Sequence, residues 1–146
     1  MNIDKLMTTK VVSVHMDDPL SVVKEIFDHT HFHHLVVIEN DRLMGILSDR
    51  DLFKALSPNL GTAGETSRDT ATLNKRVHQV MTRKPVTISQ AADTYEAVSL
   101  YNATGVSCLP VVDNEGKVVG ILSWRDLFRA LESRQQAKKA RDDARS

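Results

Sequence analysis

The stretch Gly45-Ile-Leu-Ser-Asp-Arg-Asp-Leu-Phe53 returns along the chain as Gly120-Ile-Leu-Ser-Trp-Arg-Asp-Leu-Phe128. A second match pairs Met7-Thr8 with Met81-Thr82, at a separation one residue shorter than that of the first. The second copy therefore gains one residue, which we place in the turn at residues 113–117, where a hairpin tolerates a change of length. Two internal matches in the same order predict a chain built from two copies of one structural unit.

Each copy has the same predicted order of elements, β-α-β-β-α, in an α/β (α+β) fold. In the first copy Asp18 is expected to cap a helix that begins at Pro19. In the second copy Asp93 or Thr94 is the expected cap. Apolar residues spaced as on one helical face follow each cap, and they are Leu20, Val23, Ile26 and Phe27 in the first copy and Tyr95, Val98 and Tyr101 in the second. Each unit is near the lower size limit for an independent core, so two copies are expected to pack together.

Four segments follow from these patterns: repeat 1 at 1–56, a connector at 57–76, repeat 2 at 77–132 and a polar tail at 133–146. The connector is rich in Gly, Ser and Thr, which predicts flexibility and leaves open a role as a lid. The tail lacks an apolar stripe and is expected to extend the last helix into solvent.

Composition excludes several classes of protein. The 146 residues carry a formal net charge of zero, which argues against a nucleic-acid binder that relies on excess Lys and Arg. No apolar run approaches the roughly 20 residues of a membrane helix, and no signal peptide is recognised. A single cysteine forms no intrachain disulfide, so a reducing cytoplasm is the expected location. The nucleophile-elbow, P-loop, zinc-protease and dinucleotide-binding motifs are absent from the sequence, so we expect no enzyme.

A Met-Thr pair, the stretch Gly-Val-Ser-Cys-Leu-Pro-Val-Val-Asp at 105–113 and Gly-Ile-Leu-Ser-Trp-Arg-Asp-Leu at 120–127 resemble a CBS domain, named after cystathionine β-synthase. With the first copy, the chain resembles a tandem CBS pair, or Bateman module. The resemblance implies pseudo-twofold packing of two repeats, with clefts between them that bind adenine nucleotides (AMP, ADP or ATP) or another adenosyl ligand. It also implies a regulatory function and a homodimer, without a cofactor.

Ser48 with Asp51, and Ser123 with Asp126, have the Ser-x-x-Asp spacing of a capping box at the start of a helix. That local role is the simpler interpretation of both pairs. A carboxylate at a helix start can also accept two hydrogen bonds from a ribose diol, and the resemblance implies this second role.

The resemblance extends the candidate ligand site to further positions. Thr87 and Ser13 correspond to a ligand-contacting hydroxyl, while Val106 and Pro110 correspond to an apolar lining of the nucleobase. Basic side chains suited to phosphate are His33, His34, Arg50 and Arg125. Core packing for the apolar pair and solvated surface positions for the histidines are the alternatives. The histidine run lacks further ligands at metal-site spacing, so no metal site is predicted.

These patterns predict a nucleotide sensor that signals to a partner protein in trans; the alternative is a structural dimerisation module with degenerate ligand sites. The Asp126 cleft is expected to be the better site, and Asp126→Asn to weaken binding with little change in the ligand-free melting temperature. The closing helices carry apolar residues that predict a homodimer interface, namely Leu52, Phe53, Leu56, Leu127, Phe128 and Leu131. Trp124 could stack on a base or pack in that interface.

Overall fold

The computed structural model describes residues 2–145, which form two compact units. The Gly45 unit comprises Val11–Pro85. The Gly120 unit comprises the residues up to Lys10 together with those from Val86 onward. The units thus differ from the sequence repeats in the segment that carries the Met-Thr pair, which we call the leading segment. Met7-Thr8 belongs to the unit of the second repeat, and Met81-Thr82 belongs to the unit of the first.

The Gly45 unit contains a four-stranded sheet in the order β1-β2-β3-β4. Its strands are β1 (Ser13–Val14), β2 (His34–Glu39), β3 (Arg42–Ser48) and β4 (Thr82–Arg83), and its helices are α1 (Leu20–His29), α2 (Asp49–Ala55) and α3 (Ser67–Ala71). β1 and β2 are parallel, which requires the crossover that α1 provides. The core consists of Val14, Leu20, Val23, Leu35, Val37, Leu47, Leu52, Val77 and Met81.

The Gly120 unit repeats this plan with a three-stranded sheet in the order β5-β6-β7. Its strands are β5 (Ile88–Ser89), β6 (Cys108–Val112) and β7 (Val118–Ser123), and its helices are α4 (Thr94–Thr104) and α5 (Trp124–Arg145). Thr8 forms an antiparallel bridge with Ile121, as β4 does with β3 in the other unit. The predicted β-α-β-β-α order is therefore confirmed in both units.

Two glycines of the repeated stretch let the leading segments approach the sheets. A Cβ on Gly45 would lie 2.8 Å from the Thr82 carbonyl oxygen, and one on Gly120 would lie 3.0 Å from that of Thr8. A real Cβ rarely approaches so closely. Glycine at these two positions thus allows the Met-Thr segments to pair with β3 and β7.

The two hairpin turns account for the difference in length between the copies. In the first copy Asn40 and Asp41 have φ values of 49° and 64°, as expected for a two-residue type I′ turn. In the second copy the β6–β7 turn is longer, and Gly116 with φ 80° supplies its left-handed position. The predicted placement of the extra residue in this turn is confirmed.

The helix caps confirm one prediction and correct another. Asp93 caps α4 by accepting a hydrogen bond from the Glu96 amide at 2.9 Å. The prediction for Asp18 is wrong, since α1 begins at Leu20 with Pro19 as its N-cap. The Leu20 amide instead donates to the Lys75 carbonyl at 2.8 Å. The Leu20 amide, which the Asp18 side chain was expected to bind as a cap, is thus satisfied by the backbone of a distant segment.

The apolar stripe predicted for α4 is also partly wrong. Tyr95 is 79% exposed and Val98 is 41% exposed, whereas the buried residues of this helix are Ala97 and Tyr101. The stripe of α1 is confirmed, because Leu20 and Val23 are buried and Ile26 and Phe27 pack against the same core. Small Ala97 gave a weaker sequence signal than the aromatic ring of Tyr95.

Within 57–76, Asp69 organises the short helix α3. Its carboxylate accepts hydrogen bonds from the Ser57 hydroxyl at 2.6 Å and from the Thr66 amide at 2.7 Å. The hydrogen bond from Ser57 makes the largest contribution to lowering the pKa of Asp69, and the bond from Thr66 lowers it further. The carboxylate is therefore ionised at neutral pH, in the form that accepts both bonds.

The last helix continues well beyond the sheet. α5 runs from Trp124 to Arg145, and its residues from Leu131 onward are exposed. Within residues 2–145 there is no helix with both the length and the apolar character needed to cross a membrane.

Candidate functional site

The start of α2 confirms the predicted capping box in the Gly45 unit. The Asp51 amide donates to the Ser48 hydroxyl oxygen at 3.0 Å, and the Ser48 amide donates to the Asp51 carboxylate at 2.9 Å. Asp51 also lines a groove of about 430 Å³ with Lys54, Ala55, Lys75, Gln79 and Val80. A carboxylate and two ammonium groups therefore share one open surface.

The matching carboxylate of the Gly120 unit is more deeply buried. The Asp126 side chain is 3% exposed and accepts hydrogen bonds on both oxygens. One oxygen accepts from the Thr8 hydroxyl and from Arg129 Nη2, both at 3.0 Å. The other accepts from the Ser123 amide at 2.8 Å and from the Ser123 hydroxyl at 3.2 Å. Four donors occupy the roughly four lone-pair positions of a carboxylate, so a ribose diol would have to displace some of them.

Thr8 is a residue of this arrangement that the sequence analysis did not assign to a site. Its hydroxyl reaches Asp126 because its backbone pairs with Ile121, with amide-to-carbonyl distances of 2.8 and 2.9 Å. The signal that could have identified it is the repeated Met-Thr pair. Repetition of the pair indicates a shared structural role, here a hydrogen bond to the carboxylate at the start of α5.

The histidine candidates lie beside the capping box of the Gly45 unit. His33 Nδ1 lies 2.8 Å from Asp49 Oδ2, and the Asp49 amide donates to the His33 carbonyl at 3.0 Å. His34 is the register partner of Ser48 across β2 and β3. The structure thus brings both histidines close to Ser48 and to the first turn of α2.

The remaining predicted ligand residues divide between the units. Ser13, in β1, is exposed, as is Arg50 in the first turn of α2. In the Gly120 unit Thr87 and Arg125 are exposed, Val106 is half-buried and Pro110 is buried within β6. Among residues 2–145, there is no group of three or more His, Cys, Asp or Glu side chains arranged to hold a metal ion.

Trp124 lies at the start of α5 and packs on α4. Its ring meets that of Tyr101 edge-on, with 6.4 Å between centroids and an interplanar angle of 88°. Trp124 remains 47% exposed, and Phe128 and Leu131 on the same helix are 65% and 67% exposed. Together they line an apolar groove of about 440 Å³ that also includes Val98.

Cys108 is buried in β6, and its environment disfavours the thiolate. Burial, assisted by the negative charge of Asp126, raises the pKa of the Cys108 thiol to about 12. Because the thiolate is the reactive form, we expect negligible modification of the folded protein by a thiol-specific disulfide reagent at pH 7.5. Complete reaction is expected in 6 M guanidinium. Rapid labelling of the folded chain would contradict the buried environment of this thiol.

The CBS domain model matches residues 3–58 and 77–133, so the chain belongs to the CBS domain family. A CBS domain-containing protein of Dictyostelium discoideum is 34% identical over 131 residues, which cover 88% of this chain and 90% of that protein. The tandem-CBS resemblance of the sequence is confirmed.

Solved structures that share the fold include two with bound adenosine-containing ligands. CBSX2 in complex with AMP gives a TM-score of 0.74 at 26% identity, covering 92% of this chain and 98% of the other. The CBS domain pair of protein MJ0100, in complex with 5′-methylthioadenosine and S-adenosyl-L-methionine, gives a TM-score of 0.73 at 20% identity. That comparison covers 90% of this chain and 99% of the other.

Proposed function

We propose that the chain senses adenine nucleotides or related adenosyl ligands and regulates a partner protein in trans. The observation that carries the proposal is the Ser-x-x-Asp arrangement at the start of a helix in each unit, with a carboxylate that lines a groove. Adenosyl ligands in the structures of CBSX2 and of the MJ0100 domain pair support the same chemistry. The proposed role is regulatory and not catalytic, in a reducing compartment such as the cytoplasm.

The proposed roles follow the chemistry of each side chain. Asp51 and Asp126 accept hydrogen bonds from ribose hydroxyls, supported by Ser48 and Ser123. Apolar Val106 and Pro110 line the base, and the hydroxyls of Ser13 and Thr87 add polar contacts. The groups proposed to meet phosphate are His33, His34, Arg50 and Arg125, since cationic donors favour that anion.

The alternative is a structural dimerisation module with degenerate ligand sites. It is favoured by the saturated hydrogen bonds of Asp126, which need no ligand to satisfy the carboxylate. A thermal-shift panel of adenosyl and guanosyl ligands on the full chain separates the two functions. At a concentration a hundredfold above Kd, an adenosyl ligand is expected to raise the melting temperature by about 5–10 °C. No shift with any member of the panel would favour the structural module.

We also propose a homodimer that covers the apolar groove at Trp124, Phe128 and Leu131. Exposed side chains of this size are typical of interface cores. Phe128→Glu is expected to convert the dimer to a monomer, because burying the new carboxylate against an apolar partner is costly. Multi-angle light scattering should show the wild type at about twice its 16.3 kDa chain mass and the variant near that mass. Exposed Gln136→Glu, on the same helix but turned away from the Trp124, Phe128 and Leu131 face, is the control and should remain dimeric; a monomeric wild type would contradict the proposal.

A further inference from the structure

The Gly120 unit contains a second groove, on the side of α5 where Asp126 lies. Its volume is about 500 Å³, and its lining includes the polar residues Lys5, Asp126, Arg129, Ser133 and Arg134. Three cations against one carboxylate give this groove a formal charge of +2. That concentration of positive charge stands out in a chain whose net charge is zero.

The positions of the three cations are set by different parts of the fold. Lys5 ends the 3-10 helix Ile3–Lys5, which buried Ile3 anchors in the core. Arg129 is bonded to Asp126, so its position is fixed while its side chain stays 72% exposed. Arg134 lies on the exposed continuation of α5. Since the Asp126 carboxylate is largely matched by Arg129, the charges of Lys5 and Arg134 remain for an incoming anion.

The groove of the Gly45 unit is built from counterpart positions and lacks this extension. Gln79 occupies the place of Lys5, and Lys54 that of Arg129. α2 ends at Ala55, so no helix continues to a position equivalent to Arg134. Arg134 also lies just beyond the segment matched by the CBS domain model, which ends at residue 133. The cationic extension is therefore present in only one of the two described units.

We propose that this groove is a subsite for a polyphosphate chain, so that the protein discriminates among adenosyl ligands by their negative charge. The inference rests on the proposed nucleotide-sensing function and specifies its ligand class. A nucleoside triphosphate or diphosphate is favoured over a monophosphate, and each of these over uncharged 5′-methylthioadenosine. Because Lys5 and Arg134 are exposed, their attraction is screened by salt. The preference for ATP should therefore shrink as ionic strength rises.

Calorimetry on the full chain, without divalent cations, tests the subsite with ATP, AMP, 5′-methylthioadenosine and inorganic tripolyphosphate. The variants are Lys5→Gln and Arg134→Gln, and the matched control is Lys139→Gln, which removes an exposed cation of α5 outside the groove. Each groove variant is expected to weaken ATP binding about threefold and the double variant about tenfold. Binding of 5′-methylthioadenosine should be unchanged, and the control should match the wild type.

The outcomes separate this inference from the function on which it rests. Equal affinities for ATP and 5′-methylthioadenosine, or equal ATP binding by Arg134→Gln and Lys139→Gln, would overturn the polyphosphate subsite while leaving adenosyl sensing intact. If no adenosyl ligand binds, nucleotide sensing fails. Tripolyphosphate that still binds, and loses affinity in Arg134→Gln, would then support the anion subsite alone. Absence of tripolyphosphate binding in that case would overturn the subsite as well.

Discussion

Ile3→Ala is expected to lower the free energy of unfolding by about 2–5 kcal/mol, the cost of truncating a large buried aliphatic side chain. Terminal residues are usually tolerant of change. Ile3, however, is 0% exposed and packs in the core of the Gly120 unit with Leu109, Val111 and Leu122. The loss should therefore be that of a core position, although the residue lies third in the chain.

Urea denaturation followed by tryptophan fluorescence measures this loss in the appropriate unit. Trp124 is the only tryptophan of the chain and belongs to the Gly120 unit. Exposed Asp4→Ala is the neighbouring control, with an expected change within about 0.5 kcal/mol. If Ile3→Ala were as stable as this control, the leading segment would not be part of the folded unit.

Each leading segment belongs to the unit of the other repeat, and the similarity between the repeats did not predict this. The repeat correctly indicated two units, their order of elements and the position of the extra turn residue. It assigned Met7-Thr8 to the repeat that follows it in the chain. Hydrogen bonds then pair Thr8 with Ile121, a partner that no local pattern reveals. The same limit explains Asp18, whose cap was predicted from propensity while the Leu20 amide found the distant Lys75 carbonyl.

In the candidate site, too, the features set by neighbouring residues were predictable, and those set by distant residues were not. The local geometry of Ser48 with Asp51 was predictable, because a capping box needs only residues three apart. Burial of Asp126 was not, since it depends on Thr8 from the distant leading segment and on Arg129 one helical turn later. The two carboxylates have nearly the same sequence context, yet Asp126 is buried and Asp51 is half-buried. Their symmetry in sequence therefore does not extend to their availability for a ligand.

Asp126→Asn is expected to destabilise the ligand-free protein by about 1.5–3 kcal/mol, the range for hydrogen bonds to a charged group. This reverses the expectation from sequence that the substitution would leave the melting temperature little changed. Each carboxylate oxygen accepts two hydrogen bonds, so an amide NH₂ in place of either oxygen would face donors. It would also leave Arg129 without its ion pair.

Asp51→Asn is the matched comparison, because its carboxylate occupies the equivalent position in a more accessible site. We expect it to cost less than Asp126→Asn in urea denaturation, since water can hydrate the new amide. Equal losses of stability would contradict the difference in burial. Nucleotide calorimetry on both variants, at a temperature where each is fully folded, then measures ligand binding separately from stability. A weaker nucleotide affinity in either variant would assign that carboxylate to the ligand site, whereas unchanged affinities in both would leave the two carboxylates as helix caps.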